Sequence, residues 1–420
     1  MWGWLRTVIR NEAQRTILPK LTLHKCPMQN TGAMARDSAH REIALLRARA
    51  QGLFPADAAA PGPVVGALLA LQAQDLAAAT WAVGARSPGA TLAGVRAAID
   101  AGEIVRSWPM RGTLHFVPGE DLGWMQRLTT ARLLQQARLT HERQGLTAPV
   151  YEQARQIAVA ALSGGRSLGR EAFQALLERN GIDTAANRGY HLIWHLAQTG
   201  TLCWGPTAGN AQELVLLDEW VPHPRRLEHE EALGEFLLRY IRGHGPATLA
   251  DFVWWSKLTV AEAKRGLQVA RPQLAERRIG DTSYWVAAEL DGVVPDAAQR
   301  RRFAASAWLL PAFDEYFLGY RDREASAAPE HHERIVPGRN GVFQPIAVAG
   351  GRVVGTWRRR MLGTAAAGQR LGIDIAPFEA LSAAQAAGLR RAGERYARFR
   401  ELGLGEFDVG ELRVGDTAAQ

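Results

Sequence analysis

Ile104-Val105-Arg106-Ser107-Trp108-Pro109-Met110-Arg111-Gly112-Thr113-Leu114-His115-Phe116-Val117 reads as two strand-like runs, with Pro109-Met110-Arg111 as the predicted turn between them. The residues before it carry a different period. Pro63 suits the first turn of a helix and is followed by Val64, Leu68 and Leu71 at three- and four-residue spacing. A further helix is expected over Leu76–Gly84, and Thr91 caps another that stops at Gly102.

Helices followed by a two-stranded ribbon describe a winged helix, a variant of the helix-turn-helix. The same order recurs twice. Helical patterns over Tyr151–Ala161, Leu168–Asn180 and Asn187–Gln198 precede the runs Thr201–Trp204 and Glu213–Leu217. After the proline-bearing stretch Val221–Pro224, helices start at Thr248 and Thr259, each with an acid three residues on, a capping-box spacing. Ser283-Tyr284-Trp285-Val286 then reads as a strand. The repeat is one of architecture, without internal sequence identity. The last third changes character: Ile346–Trp357 is a hairpin pattern with Gly350-Gly351 at its turn, and Phe378–Leu402 is an amphipathic helix.

The chain has 420 residues, enough for two to four units, and the hydrophobic and charged fractions of a soluble globular protein. Cys26 and Cys203 are isolated, which gives neither a disulfide framework nor a zinc cluster and fits a reducing cytoplasm. His331-His332-Glu333 lacks ligand spacing, so no metal and no cofactor are expected. No apolar run approaches the roughly 18 residues a membrane helix needs. Five of the eight net positive charges fall in residues 1–36. Arginine outnumbers lysine 46 to 4 beside abundant alanine, a bias genomic base composition can produce, so the basic excess permits nucleic-acid binding without demanding it.

Leu71-Gln72-Ala73-Gln74-Asp75 stands at the end of the helix opened by Pro63. Alone, Gln-Ala-Gln is ordinary solvated helix surface. Together with Ile104–His115, Leu309–Arg323 and Arg352–Arg359, it resembles the winged-helix DNA glycosylases of the AlkZ-like family. The runs Arg111-Gly112-Thr113-Leu114-His115 and Leu309-Leu310-Pro311-Ala312-Phe313-Asp314-Glu315-Tyr316 are the most specific, and the matching segments span about residues 40–400. The resemblance implies three tandem winged helices and a small β-barrel cradling duplex DNA. It also implies excision of N-alkylated purines, in some members with unhooking of interstrand crosslinks. The family's Gln-apolar-Gln catalytic motif falls on Gln72 and Gln74; a sister group carries Asp at the second position. Ala73 is a small occupant of the middle position.

The expectation is therefore an α+β chain: a disordered basic tail (1–38, or an upstream extension before Met34), winged helices over 39–145, 146–222 and 223–300, and a β-rich region with a terminal helix over 301–420. The expected protein is a cytoplasmic, nucleoid-associated, monomeric, monofunctional glycosylase acting on duplex DNA with alkylated purines, without membrane attachment. A non-catalytic winged-helix DNA-binding protein is the rival reading. Gln72 and Gln74 are the catalytic candidates. DNA contacts are sought at Asp75, which is equally suited to cap a helix, and at Arg111, Thr113 and His115, which alternate along one strand face. Arg358 and Arg359 belong to the best basic cluster. Trp254, Trp255 and Trp308 are expected in the core, and Asp314 with Glu315 in structural pairing.

One geometric condition attaches to the glutamines. Residues two apart on a continuous helix point about 200° from each other, so Gln72 and Gln74 can serve one substrate only if the helix breaks near Leu71.

Overall fold

The computed structural model describes residues 29–55, 59–364 and 368–410. The chain starts there with α1 (Gln29–Ala50) and α2 (Pro61–Leu68), then the two-residue strand β1 (Leu71–Gln72), α3 (Leu76–Gly84), α4 (Leu92–Asp100), β2 (Ile104–Met110) and β3 (Thr113–Pro118). The second group is α5 (Leu122–Arg143), α6 (Ala148–Leu162), β4 (Leu168–Gly169), α7 (Arg170–Arg179), α8 (Arg188–Gln198), β5 (Leu202–Ala208) and β6 (Ala211–Leu216). The third is α9 (Leu217–Trp220), α10 (His229–His244), α11 (Leu249–Ser256), α12 (Val260–Ala270), β7 (Leu274–Ile279) and β8 (Thr282–Ala287). The remainder is α13 (Ala297–Ala304), β9 (Ala307–Leu310), α14 (Glu315–Leu318), α15 (His332–Ile335), β10 (Ile346–Ala349), β11 (Arg352–Leu362), β12 (Arg370–Pro377), α16 (Ala383–Phe399) and β13 (Gly403–Val409). The fold is mixed α+β.

Local chemistry accounts for many of these boundaries. Thr248 and Thr259 form the expected capping boxes with Asp251 and Glu262, satisfying backbone donors at the starts of α11 and α12. Thr91 caps α4 by accepting from the Gly94 amide. Gly350 and Gly351 both take positive φ, as a two-residue turn between β10 and β11 requires.

Three expectations are corrected. The disordered tail does not extend to residue 38, because α1 begins at Gln29; residues 1–28 lie outside the described residues. The first ribbon turns at Arg111-Gly112, with φ of 57° and 68°, and not at Pro109-Met110-Arg111. Pro109 stays inside β2 because the ladder with β3 is irregular between Ser107 and Met110, which relieves the need for its missing N–H. The C-terminal strands do not close into a barrel. They form an open five-stranded sheet in the order β13-β12-β11-β10-β9, and α16 buries Leu389, Ala392, Tyr396 and Phe399 against the core it shares with them.

The ribbons β2–β3 and β5–β6 belong to one six-stranded sheet, ordered β1-β3-β2-β5-β6-β4 and joined where Arg106 pairs with Trp204. β1 is one of its two edge strands. Next to it, α3 packs on the C-terminal region: the Trp81 indole donates to the Leu309 carbonyl at 2.6 Å and its ring meets Tyr396 and Phe399. Edge-to-face contacts of this kind contribute about 0.5–1.5 kcal/mol beyond area burial. The first and last thirds of the sequence therefore share one core around the glutamine motif.

A polar cluster joins α5, α6 and α8. His141 Nε2 lies 3.3 Å from His191 Nδ1, the Tyr151 hydroxyl lies 2.7 Å from His141 Nδ1, and Tyr151 stacks on His195 with centroids 3.5 Å apart. Burial, with the neighbouring imidazoles His191 and His195 adding to it, pulls His141 down to about 4; burial does the same to His195. Between about pH 4 and the unfolded value near 6.5 the unfolded chain binds more of these protons, so their contribution to stability is complete above that window and is lost as pH falls through it. The melting temperature is expected to drop between pH 7 and pH 4.5, and less steeply in His141→Asn; thermal melts of both proteins across that range check this.

Candidate active site around the two glutamines

The helix that delivers the motif stops three residues earlier than its apolar period suggests. α2 ends at Leu68, and Leu69 takes φ 64° and ψ −44° while the Ala70 amide donates back to the Leu68 carbonyl at 2.8 Å, a γ-turn. This is strained backbone for a leucine, and it is held by complete burial of the side chain. Beyond it the chain is extended. Leu71 and Gln72 pair with Phe116 and His115 of β3, and the Ala73 amide donates to the Leu114 carbonyl at 2.7 Å. The strand covers Leu71 and Gln72 only, and the chain bends at Gln74 and Asp75, so neither glutamine continues the helix whose turn would set them about 200° apart. The break lies at Leu69, two residues before the place near Leu71 where the motif requires one.

The two amides differ in their surroundings. Gln72 is 8% exposed; its Oε1 accepts from Arg111 Nη2 at 2.8 Å, and its backbone amide lies 3.4 Å from Glu315 Oε1. Ala73 is fully buried, so a small residue fits the middle position. Gln74 is half-buried, and no described residue hydrogen-bonds its side-chain amide. Asp75 caps α3 by accepting from the Ala78 amide at 2.9 Å, which fixes where the extended segment ends.

Arg111 sits in the left-handed turn between β2 and β3 and points back to the motif. Its Nη2 lies 2.8 Å from His115 Nε2 as well as from Gln72. Burial lowers the pKa of Arg111 from its usual value, and the Glu315 carboxylate works against that. Burial, then the charge of Arg111, drives the His115 imidazole well below its usual range, so the ring is neutral. The Thr113 carbonyl lies 2.8 Å from His115 Nδ1, whereas the Thr113 hydroxyl is buried and has no partner among the described residues.

Arg106 holds the backbone of the motif. Its Nε donates to the Ala73 carbonyl at 2.7 Å, Nη2 to the Gln74 carbonyl at 3.2 Å and Nη1 to Gln212 at 3.4 Å. Burial pulls its pKa down to about 10, with Asp75 opposing. Glu315 is fully buried beneath β1, where the Trp255 indole donates to its Oε2 at 2.9 Å and His244 Nε2 lies 3.3 Å away. Arg106 was not singled out from the sequence; a lone arginine inside an apolar strand was the available signal. The sequence marks Glu315 only as half of a structural carboxylate pair with Asp314.

Trp255 and Trp308 are core residues, as expected. Trp254 is half-buried, with the Arg323 guanidinium 4.6 Å and the Arg111 guanidinium 6.0 Å from its ring. Burial lowers Arg323 to about 10. The basic cluster on β11 is largely internally neutralised: Arg358 and Arg360 both bind Asp374, Arg360 also meets Glu406 and Asp408, and the exposed Arg359 donates to the Tyr396 hydroxyl. Burial alone would raise the Asp374 carboxyl, but the hydrogen bonds from Arg360 and Arg358 outweigh it and hold it below the usual carboxylate range.

Comparison with known proteins gives a consistent picture. The family profile described as DNA glycosylase AlkZ-like matches residues 65–399. An interstrand DNA cross-link repair glycosylase of Streptomyces sahachiroi is 25% identical over 344 residues, which cover 76% of this chain and 87% of that protein. The solved structure of the Streptomyces sahachiroi DNA glycosylase AlkZ superposes with a TM-score of 0.70 at 23% identity, covering 88% of this chain and 99% of that one. Among the described residues, no helix is long and apolar enough to cross a membrane.

Proposed function

This chain belongs to the AlkZ-like DNA glycosylase family, and from that premise we propose that it hydrolyses the N-glycosidic bond of N7-alkylated purines in duplex DNA. In this reading the helix groups ending in β2–β3, β5–β6 and β7–β8 are three winged helices, over residues 39–145, 146–222 and 223–300. The protein works as a monomer in the cytoplasm, at the nucleoid. The name of the Streptomyces relative supports interstrand crosslinks as a further substrate class.

The observation that carries the proposal is the γ-turn at Leu69, which ends a helix early and takes both glutamines out of it; this supports reading them as serving one water. An N7-alkylated purine is cationic and leaves as a neutral base, so the reaction needs no strong general acid. What remains is to place a water opposite the departing base and to stabilise a sugar of oxocarbenium character. A glutamine carbonyl can accept a hydrogen bond from that water and fix its direction of attack, as in GTP hydrolysis. Its dipole also faces developing positive charge. Arg359, Arg358 and Asp75 are proposed along the DNA-facing rim, in supporting roles; Thr113, whose hydroxyl is buried, is not among them.

The test is abasic-site formation on duplex DNA bearing a single N7-methylguanine, measured in single turnover beside an unmodified duplex. Release from the methylated duplex alone is expected. Tight duplex binding without base release from either DNA would sink the catalytic reading and favour a binding protein.

A further inference from the structure

Gln72 and Gln74 occupy one motif, yet the surrounding protein constrains only one of the side chains. His115 stands directly opposite Gln72 in the β1–β3 ladder. The Thr113 carbonyl can only accept, so His115 Nδ1 carries the proton and Nε2 is left as an acceptor. Arg111 can only donate, and a single Nη2 reaches both that acceptor and Gln72 Oε1 at 2.8 Å. The Gln72 amide is thereby fixed in one orientation, oxygen toward Arg111. Gln74 has no such anchor among the described residues.

The fold does not need this arginine for its own sake. The turn Arg111-Gly112 takes positive φ at both positions, where asparagine or glycine fits with less strain. The guanidinium is buried and, among the described residues, its Nε has no hydrogen-bond partner and no carboxylate is hydrogen-bonded to it. A positive charge beside a cationic substrate is also electrostatically unhelpful, and the buried Glu315 carboxylate under the Gln72 amide offsets it. A costly side chain that opposes the substrate's charge and touches only Gln72 and His115 by hydrogen bonds is placed for orientation.

Resting on the assignment of Gln72 and Gln74 to the reaction, we infer that Arg111, braced by His115, is a positioning residue that locks the Gln72 amide, while Gln74 is the glutamine that turns to the attacking water. This separates the two glutamines by role. It also removes Arg111 from the set of phosphate contacts.

The experiment compares wild type, Arg111→Met, Arg111→Lys, Gln72→Ala and the double variant Arg111→Met/Gln72→Ala. It measures duplex affinity and the single-turnover rate on saturating N7-methylguanine DNA. Misplacing a positioned group by about 1 Å costs on the order of 10²-fold, and that loss is expected in Arg111→Met with affinity unchanged. Arg111→Lys should recover part of the rate, and the double variant should be no slower than Gln72→Ala, because both changes remove one arrangement. Weakened affinity with an unchanged saturated rate would overturn the inference, as would losses that multiply in the double variant. An arm independent of activity follows the Gln72 side-chain amide by nitrogen-15 relaxation, identified by its absence in Gln72→Ala. It should be rigid in wild type and mobile in Arg111→Met; equal mobility in both would also overturn the inference. If wild type released no base, the catalytic assignment would fail while this arm still decided the lock. Should Arg111→Met not fold, His115→Phe, which removes the second acceptor, is read on the same measurements.

Discussion

Gln74→Ala is expected to slow base release by about 10²–10³-fold at saturating DNA, the order of loss when a polar group that meets the reacting atoms is removed, with little change in duplex affinity. The half-buried Gln74 amide is not committed to any described residue, so its carbonyl is available to a water, and its truncation leaves the surrounding hydrogen bonds intact. Gln72→Ala is expected to lose a comparable factor for a different reason: it also strands Arg111 Nη2 beside His115 alone. Gln74→Glu discriminates further. A carboxylate accepts the same water hydrogen bond and adds negative charge facing a cationic base and an oxocarbenium-like sugar, so its rate is expected within about tenfold of wild type. Single-turnover kinetics on N7-methylguanine duplex measure all three. A wild-type rate in Gln74→Ala would remove Gln74 from the chemistry, and a Gln74→Glu variant as slow as Gln74→Ala would remove the water-accepting role.

These effects depend on a backbone feature that local patterns could not reveal. Val64, Leu68 and Leu71 keep helical spacing; Gly66 between them is tolerated inside α2, and the period simply continues past the residue where α2 ends. What stops it is a partner more than forty residues away in sequence, since Leu71 and Gln72 gain ladder bonds with Phe116 and His115 only once β3 exists. Features closed within a few residues were legible: the capping boxes at Thr248 and Thr259, the Gly350-Gly351 turn and the helix stop at Gly102. β7 was not, because Glu276, Arg277 and Arg278 belong to a two-stranded ribbon and leave no apolar run to recognise. α5 was hidden in the same way by buried polar residues, among them Gln126, Thr129 and His141. For the site, the glutamines were marked by resemblance. Arg106 and Arg111 owe their positions to contacts more than thirty residues back along the chain. Charged residues inside an apolar strand announce that they have partners without saying which.

The scaffold beneath the site should fail first at Arg86 and Asp314. This pair is almost completely buried, with the Arg86 Nη1 and Nη2 atoms each 2.8 Å from one carboxylate oxygen. All five guanidinium donors are used: two on Asp314, one on the Gln51 side chain, and one each on the Gln51 and Ala82 carbonyls. Asp314 also accepts from the Tyr316 amide and so sets the start of α14, whose first residue is the Glu315 that supports Gln72. Removing one partner leaves the other charge buried and uncompensated, which costs about 3–5 kcal/mol. Asp314→Ala is therefore expected to lower the urea midpoint strongly. Arg86→Lys should also be damaging, because an ammonium offers three donors where five are needed. Replacing both charges by apolar groups, as in Arg86→Met/Asp314→Leu, removes the unpaired charge and should be distinctly more stable than Asp314→Ala. Urea titrations of the four proteins test this ordering. If the double variant were as unstable as Asp314→Ala, the loss would come from the hydrogen bonds to Gln51, Ala82 and Tyr316 and not from a stranded charge, and the link from this pair through α14 to Gln72 would then be one of backbone placement alone.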